Sequence, residues 1–295
     1  MRRKVYGLND RILSMSSYLI TTIFMLFCLI PFWMVLIGSF TDENALRVNG
    51  FQIIPEKLSL FAYNFLLNGG QVYRSYGVSI SVTILGTLIA VLITAMYAYV
   101  LAHRKVRFRN TMAFLTYFTM LFGSGLVGFY LMIVNWYHLK DTIWALILPY
   151  VLNPFNTFVM VAFFRTTPYE LNEAATVDGA GEYRTFFQII LPISKPVLAT
   201  VTLLYALQYW NDWWLALLFI DDENLHPLQI MIRQLISNIN AASYIQGSGT
   251  SYTQAIPSYG VQLATVCLTI GPIVLLYPFL QRYFVKGLTV GSVKG

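Results

Sequence analysis

Five long stretches of this sequence contain no charged residue, and this spacing of charges constrains the fold more than any other feature. The stretches lie between Arg11 and Asp42, Arg74 and Arg104, Arg109 and Lys140, Asp141 and Arg165, and Arg233 and Arg282. Each can hold the roughly 20 apolar residues with which a helix crosses the hydrocarbon core of a bilayer. The composition agrees, because 57% of the residues are hydrophobic and only 11% are charged.

A sixth apolar stretch is interrupted only by Asp212. The sequence therefore predicts an all-α, polytopic integral membrane protein whose residues 1–295 form a single transmembrane domain of six helices. The predicted spans are 18–40, 76–102, 111–135, 143–164, 196–220 and 260–281. A transmembrane β-barrel is excluded because it would show alternating strands of about ten residues. Pro149 and Pro154 remove backbone donors and should bend the fourth span.

Positive charges are concentrated on one side of these spans. Lys and Arg fall mainly in the N-terminal residues, in 104–109, in 165–195 and after residue 281. By the positive-inside rule, both termini and the segment 165–195 are cytoplasmic. The net charge of +6 therefore reports orientation, and no nucleic-acid partner is expected. The three histidines are scattered, so no metal site is expected, and no catalytic motif is recognisable.

The cytoplasmic segment 165–195 contains signals for two short helices. Thr167, with Glu170 three residues later, has the pattern of a capping box, which predicts that a helix starts there. Asp178 and Gly179 predict that this helix stops and a second one starts. Periodicity alone is also compatible with a linker whose apolar residues Leu171, Ala174 and Ala175 lie on the membrane surface.

The residues from Glu173 to Pro192 resemble the signature of bacterial ABC importer permeases. That signature has Glu-Ala-Ala, three residues, Gly, nine residues, Ile, one residue and Leu-Pro, and every position matches here. The matching residues are Glu173, Ala174, Ala175, Gly179, Ile189, Leu191 and Pro192. Asp178, Ala180, the run 209–211 and the tail 285–295 are similar to the carbohydrate-uptake, MalG-like group, and within it to oligosaccharide permeases of Gram-positive bacteria.

This resemblance implies a role for the segment and a set of partners. The coupling residues would be Glu173, Ala174, Ala175, Asp178, Gly179, Ala180, Leu191 and Pro192, on a helix that seats in a separate ATPase subunit. The implied partners are a second permease subunit in a heterodimer, two copies of an ABC ATPase, an extracellular solute-binding lipoprotein, a carbohydrate and the lipid of the bacterial cytoplasmic membrane. ATP and Mg would bind to the ATPase subunits, since this chain has no phosphate-binding loop, and no cofactor is expected on it.

Polar and aromatic side chains in the fifth span suggest a substrate path. Tyr205, Gln208, Tyr209 and Asp212 recur at three- and four-residue spacing, and Asn211 lies beside them. A carboxylate within a span is costly unless it faces protein or water, so a hydrated cavity is one interpretation. An interfacial aromatic belt formed by Trp210, Trp213 and Trp214 is the other.

The outer segment 221–259 faces the solute-binding protein by the same resemblance, with Gly247, Ser248 and Gly249 as expected contacts. Two functions from other classes remain open at this point. An intramembrane enzyme acting on lipid-linked glycans would use Asp212 as an acid or base and would need a paired acid, which the spans lack. An ion channel would need a filter sequence or a charged ring, and neither is evident.

Overall fold

The computed structural model describes residues 8–247, 259–272 and 274, and the statements below concern that part of the chain. It is helical, with one isolated bridge between Thr41 and Leu58 and no strand among the described residues. This confirms the all-α fold class. The helices are α1 Leu8–Ser39, α2 Glu43–Asn49, α3 Phe61–Asn68, α4 Gln71–Ala102, α5 Arg109–Leu121, α6 Gly125–Leu131, α7 Ile143–Ile147, α8 Pro154–Thr166, α9 Glu170–Val177, α10 Glu182–Thr185, α11 Leu191–Ile193, α12 Lys195–Asn211, α13 Trp214–Phe219, α14 Leu228–Gly247 and α15 over 259–272.

The chain divides into two compact units. The first comprises Met1–Gly69 with Leu235–Gly271, and the second comprises Gly70–Gln234 with Pro272–Gly295. In the first unit, a carboxylate on α2 contacts the start of α15. Glu43 accepts hydrogen bonds from the backbone N–H groups of Tyr259 at 3.2 Å and Gly260 at 2.9 Å. A helix start has unpaired donors and a partial positive charge, so this carboxylate stabilises α15.

The second unit is built around α4, which packs against α8 and α12. Ala90, Ala95 and Ala98 on α4 are fully buried. Small side chains let neighbouring helices approach closely within a membrane, where dispersion contacts provide much of the packing energy. Gly86 shows how tight this packing is, because a Cβ atom there would lie 2.7 Å from the ring of Tyr209 on α12.

Two helices are by themselves long and apolar enough to cross a membrane, over Ile12–Ser39 and Gln71–Ala102. Three bent helix pairs raise the number to as many as five in the described residues. The predicted span 260–281 extends beyond those residues, so the count of six is not confirmed. The fourth predicted span is a bent pair, Ile143–Tyr150 and Pro154–Thr166, with an angle of 47°, at the position where Pro149 and Pro154 predict a bend.

The third and fifth predicted spans are not continuous helices, although the sequence predicted one helix for each. Arg109–Leu121 and Gly125–Trp136 meet at 114°, and Gly125 has φ of +71° at the break. The fifth span starts after an 84° bend, and α12 ends at Asn211. Asp212 has an extended backbone there, and its carboxylate accepts from the N–H of Leu215 at 3.1 Å, which gives the next helix a polar start.

A long helix that the sequence did not predict lies within the segment 221–259. The helix α14 has 20 residues. Its signal is visible in the sequence, because Leu228, Met231, Ile232, Leu235 and Ile236 follow the three- and four-residue spacing of an amphipathic helix. Most of this helix lies in the charge-free run that begins after Arg233, to which only the sixth span had been assigned.

Candidate coupling site

The residues from Glu173 to Pro192, which resemble the permease signature, begin with two short helices, α9 and α10. The predicted capping box is not formed, because the N-cap of α9 is Tyr169, which makes no side-chain capping bond. Pro168 favours an extended conformation in the preceding residue, and Thr167 is extended, with φ of −70° and ψ of 130°. Glu170 and Glu173 lie in the first turn of α9, where negative charge is favourable for the helix dipole.

Asp178, Gly179 and Ala180 end α9 with a Schellman turn. The N–H of Gly179 donates to the carbonyl of Thr176 at 3.1 Å, and that of Ala180 donates to the carbonyl of Ala175 at 2.9 Å. Gly179 has φ of +76°, the left-handed conformation that this turn requires and that glycine adopts without strain. Asp178 is therefore the C-cap of α9, and Gly181, rather than Asp178, is the N-cap of α10.

The helix α9 presents one face to the protein and another outward. Ala175 is buried and Leu171 is half-buried, whereas Glu173 and Ala174 are exposed. Val177, in the last turn, is 86% exposed. The small side chain of Ala174 leaves room for another backbone to approach this outward face closely.

The inner face of both short helices is held by the end of α4, a feature that sequence reasoning missed. The hydroxyl of Tyr99 lies 3.2 Å from Oδ1 of Asn172 on α9 and 3.0 Å from Oε2 of Glu182 on α10, so its hydrogen can be donated to either. His103 Nε2 lies 3.9 Å from Oε2 of the same Glu182. The ring of Tyr99 also packs against Phe186 with centroids 5.3 Å apart. We call Tyr99, His103, Asn172 and Glu182 the clasp.

The clasp joins the motif to the core of the second unit. Because α4 packs against α8 and α12, the clasp connects α9 and α10 to the helix at the centre of this unit. No local pattern could have revealed the clasp, since Tyr99 and Glu182 are 83 residues apart.

Leu191 and Pro192 lie where the motif turns into α12. Leu191 is half-buried and Pro192 is exposed. They follow a π-helical turn over Phe186–Ile190 and begin α11. Pro192 lacks a backbone donor, and the buried Ser194 closes the turn by donating from Oγ to the carbonyl of Ile190 at 2.7 Å. The chain then bends by 84° into α12.

Tyr205 and Tyr209, expected on a substrate path, lie instead in the core of the second unit. Tyr205 is fully buried, and its hydroxyl accepts from the N–H of Asn153 at 2.9 Å and shares a hydrogen bond with Thr94 at 2.7 Å. The hydroxyl of Tyr209 donates to the carbonyl of Ile147 at 2.9 Å. Asn153 and Ile147 flank the bend in the fourth span, so these tyrosines satisfy backbone groups that the bend leaves unpaired.

The other three path residues lie near the end of α12. Asn211 is exposed, and its Nδ2 donates to the carbonyl of Leu207 at 2.8 Å. Gln208 is half-buried. Asp212 lies after the end of α12 and not on its face, and its Oδ1 accepts from the hydroxyl of Tyr150 at 2.8 Å. The carboxylate therefore connects α12, α13 and the bend of the fourth span.

The expected contacts with a solute-binding protein fall at the edge of the described residues. Gly247 is the last residue of α14. Ser248 and Gly249 lie outside the described residues. Among the described residues, no group of three or more His, Cys, Asp or Glu side chains is arranged to hold a metal ion.

Comparison with known proteins identifies the family. Residues 91–290 match the family described as the binding-protein-dependent transport system inner membrane component. Protein LplC of Bacillus subtilis is 42% identical over 90% of this chain and 90% of its own length. The polygalacturonan/rhamnogalacturonan transport system permease protein YtcP of the same organism is 35% identical over 98% of this chain and 100% of its own.

A solved structure agrees with these sequence matches. The crystal structure of a bacterial ABC transporter involved in the import of the acidic polysaccharide alginate contains a chain that superposes with a TM-score of 0.83. It is 27% identical in sequence, and the match covers 96% of this chain and 100% of that one. The chain therefore belongs to the inner membrane components of binding-protein-dependent transport systems, the non-enzymatic permease subunits of ABC importers.

Proposed function

We propose that this chain forms half of the transmembrane pathway of an importer that carries an oligosaccharide into the cell, with residues 1–295 acting as one transmembrane domain. The observation that carries the proposal is the geometry of the motif, in which a short helix with an outward-facing contact surface is clasped to the central helix of the unit. The second half of the pathway is another permease subunit, and the oligosaccharide arrives on an external solute-binding protein.

The coupling mechanism follows from which face of α9 is free. Glu173, Ala174 and Val177 seat against an ATPase subunit, while Ala175 and the clasp hold the opposite face. Two such ATPase subunits bind ATP and Mg, and their closure moves α9. Because Tyr99 and His103 join α9 and α10 to the end of α4, this movement is passed to α4 and reorients the helices packed against it.

The sugar path is proposed at the end of α12, with a narrower set of residues than the sequence suggested. Gln208 and Asn211 retain exposed surface, and an amide offers both donors and an acceptor to sugar hydroxyls. Asp212 positions this end of α12 through Tyr150 and the N–H of Leu215. The buried Tyr205 and Tyr209 support the path from within the core without touching the sugar.

Uronate-containing oligosaccharides are the first substrates to test. One relative is a polygalacturonan/rhamnogalacturonan permease, and the solved transporter imports an acidic polysaccharide. We also propose that Gly247, Ser248 and Gly249 contact the solute-binding protein, and that both termini and α9 are on the cytoplasmic side of the membrane, as the distribution of Lys and Arg indicates.

Substitution of Val177 by Asp tests the coupling surface. The change places a charge on the exposed contact residue without touching the clasp, so we expect the ATPase subunits to be lost during purification of the complex. A charge buried unpaired in an interface costs about 2 kcal/mol or more, which corresponds to at least a roughly 30-fold weaker association.

Val48→Asp is the matched control, because Val48 on α2 is 82% exposed but lies between the first and second predicted spans, on the other side of the membrane from α9 in the proposed orientation. It should leave the ATPase subunits bound. Retention of the ATPase subunits by the Val177→Asp complex, with normal stimulation of ATP hydrolysis by the loaded binding protein, would refute the coupling role of α9.

A further inference from the structure

A cavity of about 380 Å³ lies where the ends of α4, α5 and α8 meet the segment 165–195. Three arginines line it, namely Arg104, Arg109 and Arg165, and no Asp or Glu side chain does. The guanidinium group keeps its charge at any physiological pH. The cavity therefore holds three permanent positive charges with no carboxylate in its wall.

The charges of these three arginines are not offset by ion pairs in the described residues. Glu182 is engaged by Tyr99 and His103 in the clasp. Arg104 instead lies over the ring of Tyr169, 5.3 Å from its centroid. Arginine forks match the oxygens of a phosphate group, so the chemistry of the cavity fits a phosphate-bearing anion.

An apolar strip leads away from the cavity along α5. Asn110 lines the cavity, and Phe114 and Phe118 follow at four-residue intervals, which places them on the same helix face. Phe114 is 63% exposed and Phe118 is 45% exposed, with their ring centroids 6.4 Å apart. An acyl chain attached to the phosphate would cover this strip, whereas a free phosphate would leave it unused.

The cavity is separate from the surface proposed for the ATPase. Its wall takes Asn172 from the inner face of α9, whereas Glu173 and Val177 are exposed and do not line it. Arg109 starts α5, Arg165 lies in the last turn of α8, and Arg104 follows the end of α4. Basic residues that flank apolar helices attract anionic lipid head groups. This placement favours a lipid over a docking protein.

We propose that this cavity binds one anionic phospholipid. Its phosphate group contacts Arg104, Arg109 and Arg165, and one acyl chain lies over Phe114 and Phe118. The assignment of this lipid to the cytoplasmic leaflet rests on the orientation proposed above, but its binding to the chain does not.

Native mass spectrometry of the full-length chain in detergent tests the proposal, with phosphatidylglycerol or phosphatidylcholine added. We expect phosphatidylglycerol to remain bound and the zwitterionic lipid to be lost. A hydrogen bond from an arginine to an ionised phosphate contributes about 1.5 kcal/mol, so each Arg→Gln change at positions 104, 109 and 165 should weaken retention roughly tenfold.

Arg107→Gln is the matched control, because Arg107 is in the same connection but does not line the cavity. It should change retention less than twofold. Equal weakening by this control, or equal retention of the two lipids, would overturn the proposal. The corresponding Arg→Lys changes keep the charge and should retain most of the phosphatidylglycerol, which separates loss of binding from loss of the fold.

Further experiments distinguish a phospholipid from other sources of the phosphate. Phe114→Ser with Phe118→Ser should weaken retention of phosphatidylglycerol although every arginine is present, and unchanged retention would contradict a lipid site. Displacement of the lipid by millimolar inorganic phosphate would instead assign the cavity to a small anion. Release of the lipid when the ATPase subunits bind would assign it to a protein contact.

Discussion

At Gly179 the backbone takes a conformation that a residue with a Cβ atom adopts only with strain. The left-handed φ of +76° allows two N–H groups to close the end of α9 on the carbonyls of Ala175 and Thr176. No other atom lies within 4 Å of the position that a Cβ would occupy. A substitution is therefore opposed by the backbone and not by a clash, so its effect reports the turn alone.

We expect Gly179→Ala to destabilise this turn by about 1 kcal/mol, the usual strain of alanine in the left-handed region. Stimulation of ATP hydrolysis by the loaded binding protein should fall in the reconstituted complex, since the tip of α9 would lose its fixed shape. Gly181→Ala is the matched control, because Gly181 has φ of −73° and an equally open surrounding. Equal activities of the two variants would contradict a role for the turn.

Asp141 stabilises the connection between the third and fourth predicted spans through a network of hydrogen bonds. Its φ is +56°, and its Oδ1 accepts from the N–H groups of Asp221 at 2.6 Å and Asp222 at 3.0 Å. Beside it, Lys140 pairs with the carboxylate of Asp221 at 2.6 Å. The two donated backbone hydrogen bonds hold the pKa of the Asp141 carboxyl below its usual value.

The direction of this pKa shift determines how stability depends on pH. The carboxylate contributes its full stabilisation above the usual aspartate pKa of 3.8, and the contribution is lost as pH falls through the lowered pKa of the folded protein. We expect Asp141→Asn to lower the thermal midpoint of the detergent-solubilised chain at neutral pH, with the difference from wild type shrinking below about pH 4. Asn tolerates the left-handed backbone better than Ala does, so Asp141→Ala should lower the thermal midpoint more than Asp141→Asn at every pH. If the difference in thermal midpoint between Asp141→Asn and wild type does not depend on pH, the carboxylate charge is excluded as its cause.

Among the elements, α4 packs closely against α12 at Gly86. The ring of Tyr209 lies against Gly86 and cannot withdraw easily, because its hydroxyl is bonded to the carbonyl of Ile147 at 2.9 Å. The tyrosine thus holds α4, α12 and the bend of the fourth span together.

We expect Gly86→Ala to destabilise the chain by about 1–3 kcal/mol, as overpacking of a rigid core does. The measurement is the thermal midpoint of the purified chain in detergent. Gly77→Ala on the same helix is the control, since no atom lies within 4 Å of a Cβ there. It should be neutral or slightly stabilising, because alanine favours a helix more than glycine does. Equal midpoints for the two variants would show that the close contact with Tyr209 is not rigid.

The helices that the sequence predicted well are those whose stability depends on local composition. The second span was expected over 76–102 and α4 runs over Gln71–Ala102, because a long apolar run without Pro offers no alternative to a helix in lipid. The breaks at Gly125 and Asp212 were missed. Average hydropathy does not register that a carboxylate can accept the N–H of Leu215 or that a glycine allows a sharp turn between two apolar segments.

The candidate site shows the same division between local and long-range information. The order of helix, turn and helix in the motif followed from Asp178 and Gly179, whose effects extend over only a few residues. The clasp did not, since it pairs side chains from α4 with side chains of α9 and α10. The buried positions of Tyr205 and Tyr209 were also invisible, because the spacing of polar residues on one helix cannot distinguish a face lined with water from one that pairs with a bent neighbour.

At the scale of the whole molecule, the placement of charges predicts an orientation that the contacts within each unit do not determine. Val48 and Arg107 are both exposed, and the predicted spans place them on opposite sides of the membrane. The excess of Lys and Arg assigns Arg107 to the cytoplasmic side, since positively charged connections are not readily translocated.

Labelling of single cysteines in whole cells tests this orientation. In a chain with Cys28 and Cys267 replaced by Ser, we expect Val48→Cys to react with a membrane-impermeant maleimide and Arg107→Cys to react only after the membrane is permeabilised. The variant without any cysteine measures background. Because both positions lie in connections and not in the spans, a difference in labelling reports the side of the membrane. The reverse pattern would place α9 outside the cell, where no ATP-driven partner could reach it, and would remove the proposed coupling mechanism together with the orientation.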